Sequence, residues 1–125
     1  SMPKKAVIHE ADYVIASGGV RLSVVVGEKQ FGTSMVFLDD KAIANGTIEG
    51  LALGNGAELE GLTAEVYTMV TDTSSATDEM VVTWTLTGGK KKLVAKEHAS
   101  PPADFGSQMF KGIFHFTAGK SKGTS

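Results

Sequence analysis

The segment Met80–Thr87, read as MVVTWTLT, decides the fold class. Val82, Trp84 and Leu86 fall on one side of it and Val81, Thr83 and Thr85 on the other. That is the period of two of a half-buried strand. Valine and threonine pack well on a pleated surface and lose rotamer freedom in helices. The same reading extends outward in both directions. In Gly19–Val26, Val20, Leu22, Val24 and Val26 oppose Arg21 and Ser23, with Val25 breaking the polarity. In Leu62–Val70, Leu62, Ala64, Val66 and Val70 separate from Thr63, Glu65, Tyr67 and Met69. Near the end of the chain, Phe110, Phe114 and Phe116 alternate with Met109, Lys111, Ile113 and His115.

Turn residues punctuate these strands. Ser17-Gly18-Gly19, Asn45-Gly46, Gly54-Asn55-Gly56 and Gly88-Gly89 supply backbone positions where a positive φ costs little. Asn45-Gly46 is a two-residue hairpin signal. The breaks bracket further strands at Ala6–Ala16, Gln30–Leu38, Thr47–Leu53 and Lys91–Lys96. Asp39–Ala44 reads either as one capped helical turn or as a tight hairpin with Asp39-Asp40 at its tip. No helical stripe persists over three turns. Short strands with turns every 8–12 residues predict an all-β domain, an antiparallel β-sandwich of about seven to nine strands, with a small β-barrel as the alternative.

At 125 residues the chain has the length of one domain. Residues 6–117 are assigned to it, after a lead-in at 1–5 and before a small, polar, flexible tail at 118–125. Ser1 reads as a cleavage remnant before the initiator Met2. No signal-peptide pattern follows Pro3-Lys4-Lys5, so a cytoplasmic location is expected. Ala99–Gly106, with Pro101-Pro102, reads as an irregular connection. Hydrophobic residues make up 42% and charged residues 21%, which is globular composition. No apolar run reaches the roughly 18 residues of a membrane-spanning helix. With a net charge of −2 and no cysteine, the chain has no bulk attraction for nucleic acid or anionic membranes, no disulfide and no thiolate zinc site.

Candidate chemistry is sparse. His9, His98 and His115, with Glu97 as a fourth ligand, form a metal set only if the fold gathers them, because no two histidines are spaced i,i+2 or i,i+4. Thr71–Glu79 carries Asp72, Asp78 and Glu79 among hydroxyl residues. This is either a calcium-type oxygen cluster or ordinary turn chemistry. No nucleophile elbow is present, and the carboxylate pairs Asp39-Asp40 and Glu58/Glu60 read as turn residues and as one exposed strand face. Gly18-Gly19 and Gly54-x-Gly56 lack the following helix that a phosphate loop needs. Lys90-Lys91-Lys92 with Trp84, Tyr67 or Phe110 offers a weak nucleic-acid platform, opposed by a pI of about 5.9.

Trp84 reads first as a core anchor, and second, with Tyr67 and His115, as a ligand-contacting residue. All three prolines lie outside the predicted sheet, so edge protection falls to lysines at Lys90–Lys92 or bulges at Gly27 or Gly32. These observations lead to an expected non-catalytic binding or assembly module without a cofactor, self-associating through sheet edges or an apolar sheet face. A barrel binding an apolar small molecule is the alternative. An enzyme using His9, Glu97 and His115 is the third reading.

Overall fold

Alternating apolar residues become strands where the period of two predicts them, and the computed structural model describes residues 5–74, 76–100 and 106–119. The elements are β1 (Val7–Val14), β2 (Gly19–Val26), β3 (Phe31–Leu38), β4 (Lys41–Gly46), β5 (Leu51–Asn55), α1 (Gly56–Leu59), β6 (Thr63–Thr71), β7 (Met80–Thr87), β8 (Leu93–Ala99) and β9 (Ser107–Thr117). Two sheets pack face to face, one of five strands in the order β1-β9-β6-β3-β4, the other of four in the order β5-β2-β7-β8. The fold is an all-β sandwich, and the sheets do not close into the alternative barrel. Residues 1–4 of the expected lead-in, 101–105 of the proline connection and 120–125 of the tail lie outside the described residues. No helix among the described residues is long and apolar enough to cross a membrane.

One pairing departs from the antiparallel expectation. β1 runs parallel to β9, from Val7 opposite Phe110 to Val14 opposite Thr117. Parallel neighbours need a long connection, and here the rest of the domain supplies it. Only β3–β4 and β7–β8 are hairpins between neighbouring strands; the other links pass from one sheet to the other. Asp39-Asp40 is the tip of the first hairpin, which resolves the ambiguity at Asp39–Ala44 in favour of a strand. Asp39 holds a φ of 50°, and its Oδ1 accepts from the Thr63 amide at 2.9 Å.

Asn45-Gly46, by contrast, is not a hairpin. Gly46, at φ 99°, ends β4 and turns the chain toward the opposite sheet. The expected strand Thr47–Leu53 is therefore part crossover and part β5. Within the crossover Ile48 is buried, its carbonyl accepts from the Val24 amide at 2.9 Å, and Arg21 donates to the Gly50 carbonyl at 2.8 Å. The bulges fall between Val20 and Arg21 and between Val36 and Phe37, not at Gly27 or Gly32. Lys90–Lys92 occupy the β7–β8 connection rather than an edge strand.

Glu58 and Glu60 do not share a strand face. α1 forms there because Asn55 accepts from the Glu58 amide at 2.9 Å and Glu58 accepts from the Asn55 amide at 3.0 Å, a reciprocal cap on one helical turn. A helix thus does follow Gly54-x-Gly56, contrary to the sequence reading. Its Gly56 amide already donates to the Gly18 carbonyl at 3.2 Å and its Glu58 amide to the Asn55 side chain.

The core sits between the sheets, where Trp84, Phe110, Phe114, Phe116, Leu22 and Leu86 are its largest fully buried members. On β9 the inward positions run Phe110, Gly112, Phe114, Phe116, and Gly112 breaks the aromatic series for a steric reason. A Cβ on Gly112 would lie 2.8 Å from Phe114 Cε2 and 3.0 Å from Trp84 Cε2. The glycine makes the space into which Trp84, crossing from the other sheet, can pack. Two inward polar side chains, Ser34 and Thr68, satisfy each other at 2.8 Å across β3 and β6. Gly112→Ala should overpack this point and cost about 1–3 kcal/mol. Urea unfolding checks it, and an unchanged midpoint would show that the aromatic cluster yields.

Candidate functional site

Sequence parity assigns each strand residue to a face, and the register assembles those faces into surfaces. On the five-stranded sheet, Phe31, Met35 and Phe37 of β3, Glu65, Tyr67 and Met69 of β6, and Met109, Lys111 and Ile113 of β9 point away from the core. Met35 stands opposite Tyr67 and Tyr67 opposite Lys111, while Met69 pairs with Met109. The result is an apolar outer face that no other element covers among the described residues. Phe31 is 63% exposed, Met35 45% and Met69 37%. Phe37 meets the Tyr67 ring edge-on, with centroids 5.8 Å apart.

Charge gathers at one end of this face. The Lys111 ammonium lies 3.0 Å from Glu65 and 5.0 Å from the centre of the Tyr67 ring. Hydrogen bonding to Tyr67 and then to Glu65 holds its pKa above the ordinary lysine value. Because the folded value lies above the unfolded one, this small contribution to stability is fully present below pH 10.5 and is lost as pH rises through the folded value. Beyond Glu65, Asp39 and Asp40 close the end of a groove of about 450 Å³ whose floor includes Met35, Phe37, Tyr67 and Met109.

The three candidate ligand-contacting residues do not meet. Tyr67 and His115 share the outer face of the five-stranded sheet. Trp84 belongs to the other sheet and is 1% exposed, packed against Phe114 at 6.3 Å and His9 at 6.1 Å between ring centroids. Its Nε1 donates to no protein atom among the described residues. Trp84 is therefore a core anchor and presents no stacking face to solvent.

The histidines are dispersed as well. His9 faces inward on β1, and its Nδ1 lies 2.6 Å from Glu97 on β8, joining the edges of the two sheets. The neighbouring Glu10 faces outward and meets His115 Nε2 at 2.5 Å, while His115 Nδ1 lies 2.9 Å from Thr63 Oγ1. His98 is exposed on β8. No group of three potential ligands that could hold a metal occurs among the described residues. His9 meets Glu97 on the inward side of β1, while His115 meets Glu10 on its outward side, so the three side chains of the enzyme reading lie on two faces of the sheet.

The Thr71–Glu79 loop is organised by Gln30, a residue not singled out in the sequence. The Gln30 side chain is buried, accepts from the amides of Thr73 at 2.8 Å and Ser74 at 3.1 Å, and donates to the carbonyls of Thr77 at 2.9 Å and Glu79 at 3.1 Å. A polar residue at inward parity just ahead of β3 was the available signal. Asp72 is buried, with Oδ1 accepting from the Ser74 amide and Oδ2 finding no partner among the described residues. The carbonyls of Thr77 and Glu79, which could have turned toward a cation, are held by the Gln30 amide instead.

A second groove, of about 410 Å³, opens where the end of β1 meets the β7–β8 turn. Tyr13, Val14 and Leu93 give it an apolar floor, and Asp12, Lys90, Lys91 and Lys92 line it. Tyr13 fixes the turn by accepting from the Gly89 amide at 2.8 Å, and the Lys90 amide donates to the Val14 carbonyl at 3.0 Å.

No family model, curated protein or solved structure matches this chain.

Two measurements check these assignments. Removing the Gln30 clamp with Gln30→Ala leaves several loop groups without partners and should cost about 1–3 kcal/mol. Proteolysis should then begin within residues 72–79, and an undisturbed loop would show that Gln30 does not hold it. The single tryptophan should emit at short wavelength and resist quenching by iodide. Free quenching would place Trp84 at the surface, contrary to the core assignment.

Proposed function

We propose that this domain is a non-catalytic binding and assembly module that associates with its own copies through the outer face of the five-stranded sheet. The observation that carries this reading is the exposed cluster of Phe31, Met35 and Met69 around the half-buried Phe37, Tyr67 and Met109. Isolated apolar side chains on a surface are ordinary, but contiguous ones mark contact sites. Thioethers suit such a site because unbranched, polarizable methionine adapts its shape to a partner.

Faces are favoured over edges by the way the open sides of the sandwich are occupied. β1 and β8 approach one another along one side and are tied by His9 and Glu97. On the other, the crossover at 47–50 bonds to β2 through the Val24 amide. The outer face of the four-stranded sheet offers less, with Val25 and Val94 exposed among threonines and a serine.

Light scattering across roughly a hundredfold range of concentration tests the reading, since an association of this kind follows mass action. A dimer or larger species is expected. Met35→Glu with Met69→Glu should give folded monomer, because two carboxylates would have to be desolvated in the contact. A wild-type chain that is monomeric throughout, or a double variant of unchanged mass, would overturn it.

A further inference from the structure

Asp39 and Asp40 line one groove, three lysines outnumber Asp12 in the other, and both grooves lie at the same end of the sandwich. Asp39 donates its amide to the Thr63 carbonyl at 2.7 Å. Thr63 stands opposite His115 on β9, and His115 opposite Asp12 on β1. Two residues further along β1, the Val14 carbonyl receives the Lys90 amide. The acidic hairpin tip Asp39-Asp40 and the basic turn Lys90–Lys92 therefore project from one end of the molecule, on different sheets. Among the described residues, the side chains of Asp40, Lys90, Lys91 and Lys92 enter no ion pair or hydrogen bond within the chain.

We propose that the occupant of the acidic groove is the Lys90–Lys92 turn of a second copy of this chain. The contact is made twice, reciprocally, about a two-fold axis at this end of the sandwich. The proposal rests on the self-association argued above and names its contact. A two-fold interface must be self-complementary, each patch meeting its counterpart on the other copy. One patch here is apolar with the Asp39 and Asp40 carboxylates at its end; the other is apolar with three ammonium groups and the Asp12 carboxylate at its rim, and so is net positive. Their floors, Met35, Phe37 and Tyr67 on one side and Tyr13, Val14 and Leu93 on the other, supply the area to be covered. The charges supply register and orientation.

The chain already shows the local version of this chemistry in Lys111, whose ammonium is held by the Glu65 carboxylate beside the face of Tyr67. A lysine of a second copy arriving at Asp39 and Asp40 would meet carboxylates beside the same aromatic pair. Exposed ion pairs are weak and screened, so the association should respond to salt.

A charge exchange tests the contact without knowledge of any other ligand. One variant carries Asp39→Asn with Asp40→Lys; asparagine tolerates the positive φ of residue 39 and keeps the cap on Thr63. The other carries Lys90→Glu, Lys91→Glu and Lys92→Glu. Light scattering and sedimentation are read at a concentration where the wild-type chain is twice its 13.1 kDa mass, with circular dichroism verifying that each variant is folded. Each variant alone should be monomeric, its self-association at least about tenfold weaker. An equimolar mixture should recover the dimer, because one contact is then wild type and the other has both signs reversed. Raising the salt from about 0.1 M to about 1 M should weaken the wild-type dimer in the same direction. Two variants that dimerise as well as wild type, or a mixture that stays monomeric, would overturn this contact. If Met35→Glu with Met69→Glu still gave monomer, the self-association would stand through another arrangement of the face. A monomeric wild-type chain would remove both.

Discussion

The structure depends on one piece of packing, the indole of Trp84 laid into the space that Gly112 leaves open. Trp84 rises from the middle of β7 and reaches across to β9 of the other sheet, and it touches Phe114 and His9 on arrival. A sandwich needs the inner faces of its two sheets to interdigitate, and large residues need small ones opposite them. The side chain missing at Gly112 sets the closest approach at the centre of the domain. Around it Phe110, Phe114 and Phe116 fill the rest of one inner face, and Leu22, Val82 and Leu86 fill the other.

What could be read from the chain depended on how local the cause was. β2 and β7 run over the residues that alternation assigns to them, Gly19–Val26 and Met80–Thr87, because a period of two is written in consecutive residues. The outward facing of Tyr67 and His115 and the inward facing of Trp84 follow from the same parity. Relations between distant segments carry no such local mark. The parallel β1–β9 pair, the crossover after Gly46 and the partners of the histidines fall in this class. His9 finds Glu97 across 88 residues and His115 finds Glu10 across 105. α1 was missed for another reason. One turn is too short to show a helical stripe, and its signal was the cap, an asparagine followed three residues later by a glutamate.

The surfaces are asymmetric in a way that composition conceals. A net charge of −2 is small, yet carboxylates collect on the β3–β4 tip and ammonium groups on the β7–β8 turn. Two hairpins that begin as ordinary chain reversals thus become opposite poles at one end of the molecule. The tips are fixed by the fold: Asp39 is pinned to Thr63, and the lysine turn is pinned to β1 through Tyr13 and Val14. Side chains on anchored turns lose less freedom when they meet a partner.

The pairing of β1 with β9 also bears on how the molecule comes into being. Val7 lies beside Phe110, so the first strand of the domain docks against its last. Bringing such distant segments together has to be met in chain entropy before any contact repays it, and domains rich in these pairings fold slowly. During synthesis the inward residues Val7, Ala11 and Tyr13 of β1 lack their β9 neighbours until nearly the whole domain has emerged. The order of the strands thus makes completion of the five-stranded sheet wait for the last strand of the domain, and it gives the nascent domain an interval in which β1 is open to capture by chaperones or by neighbouring chains.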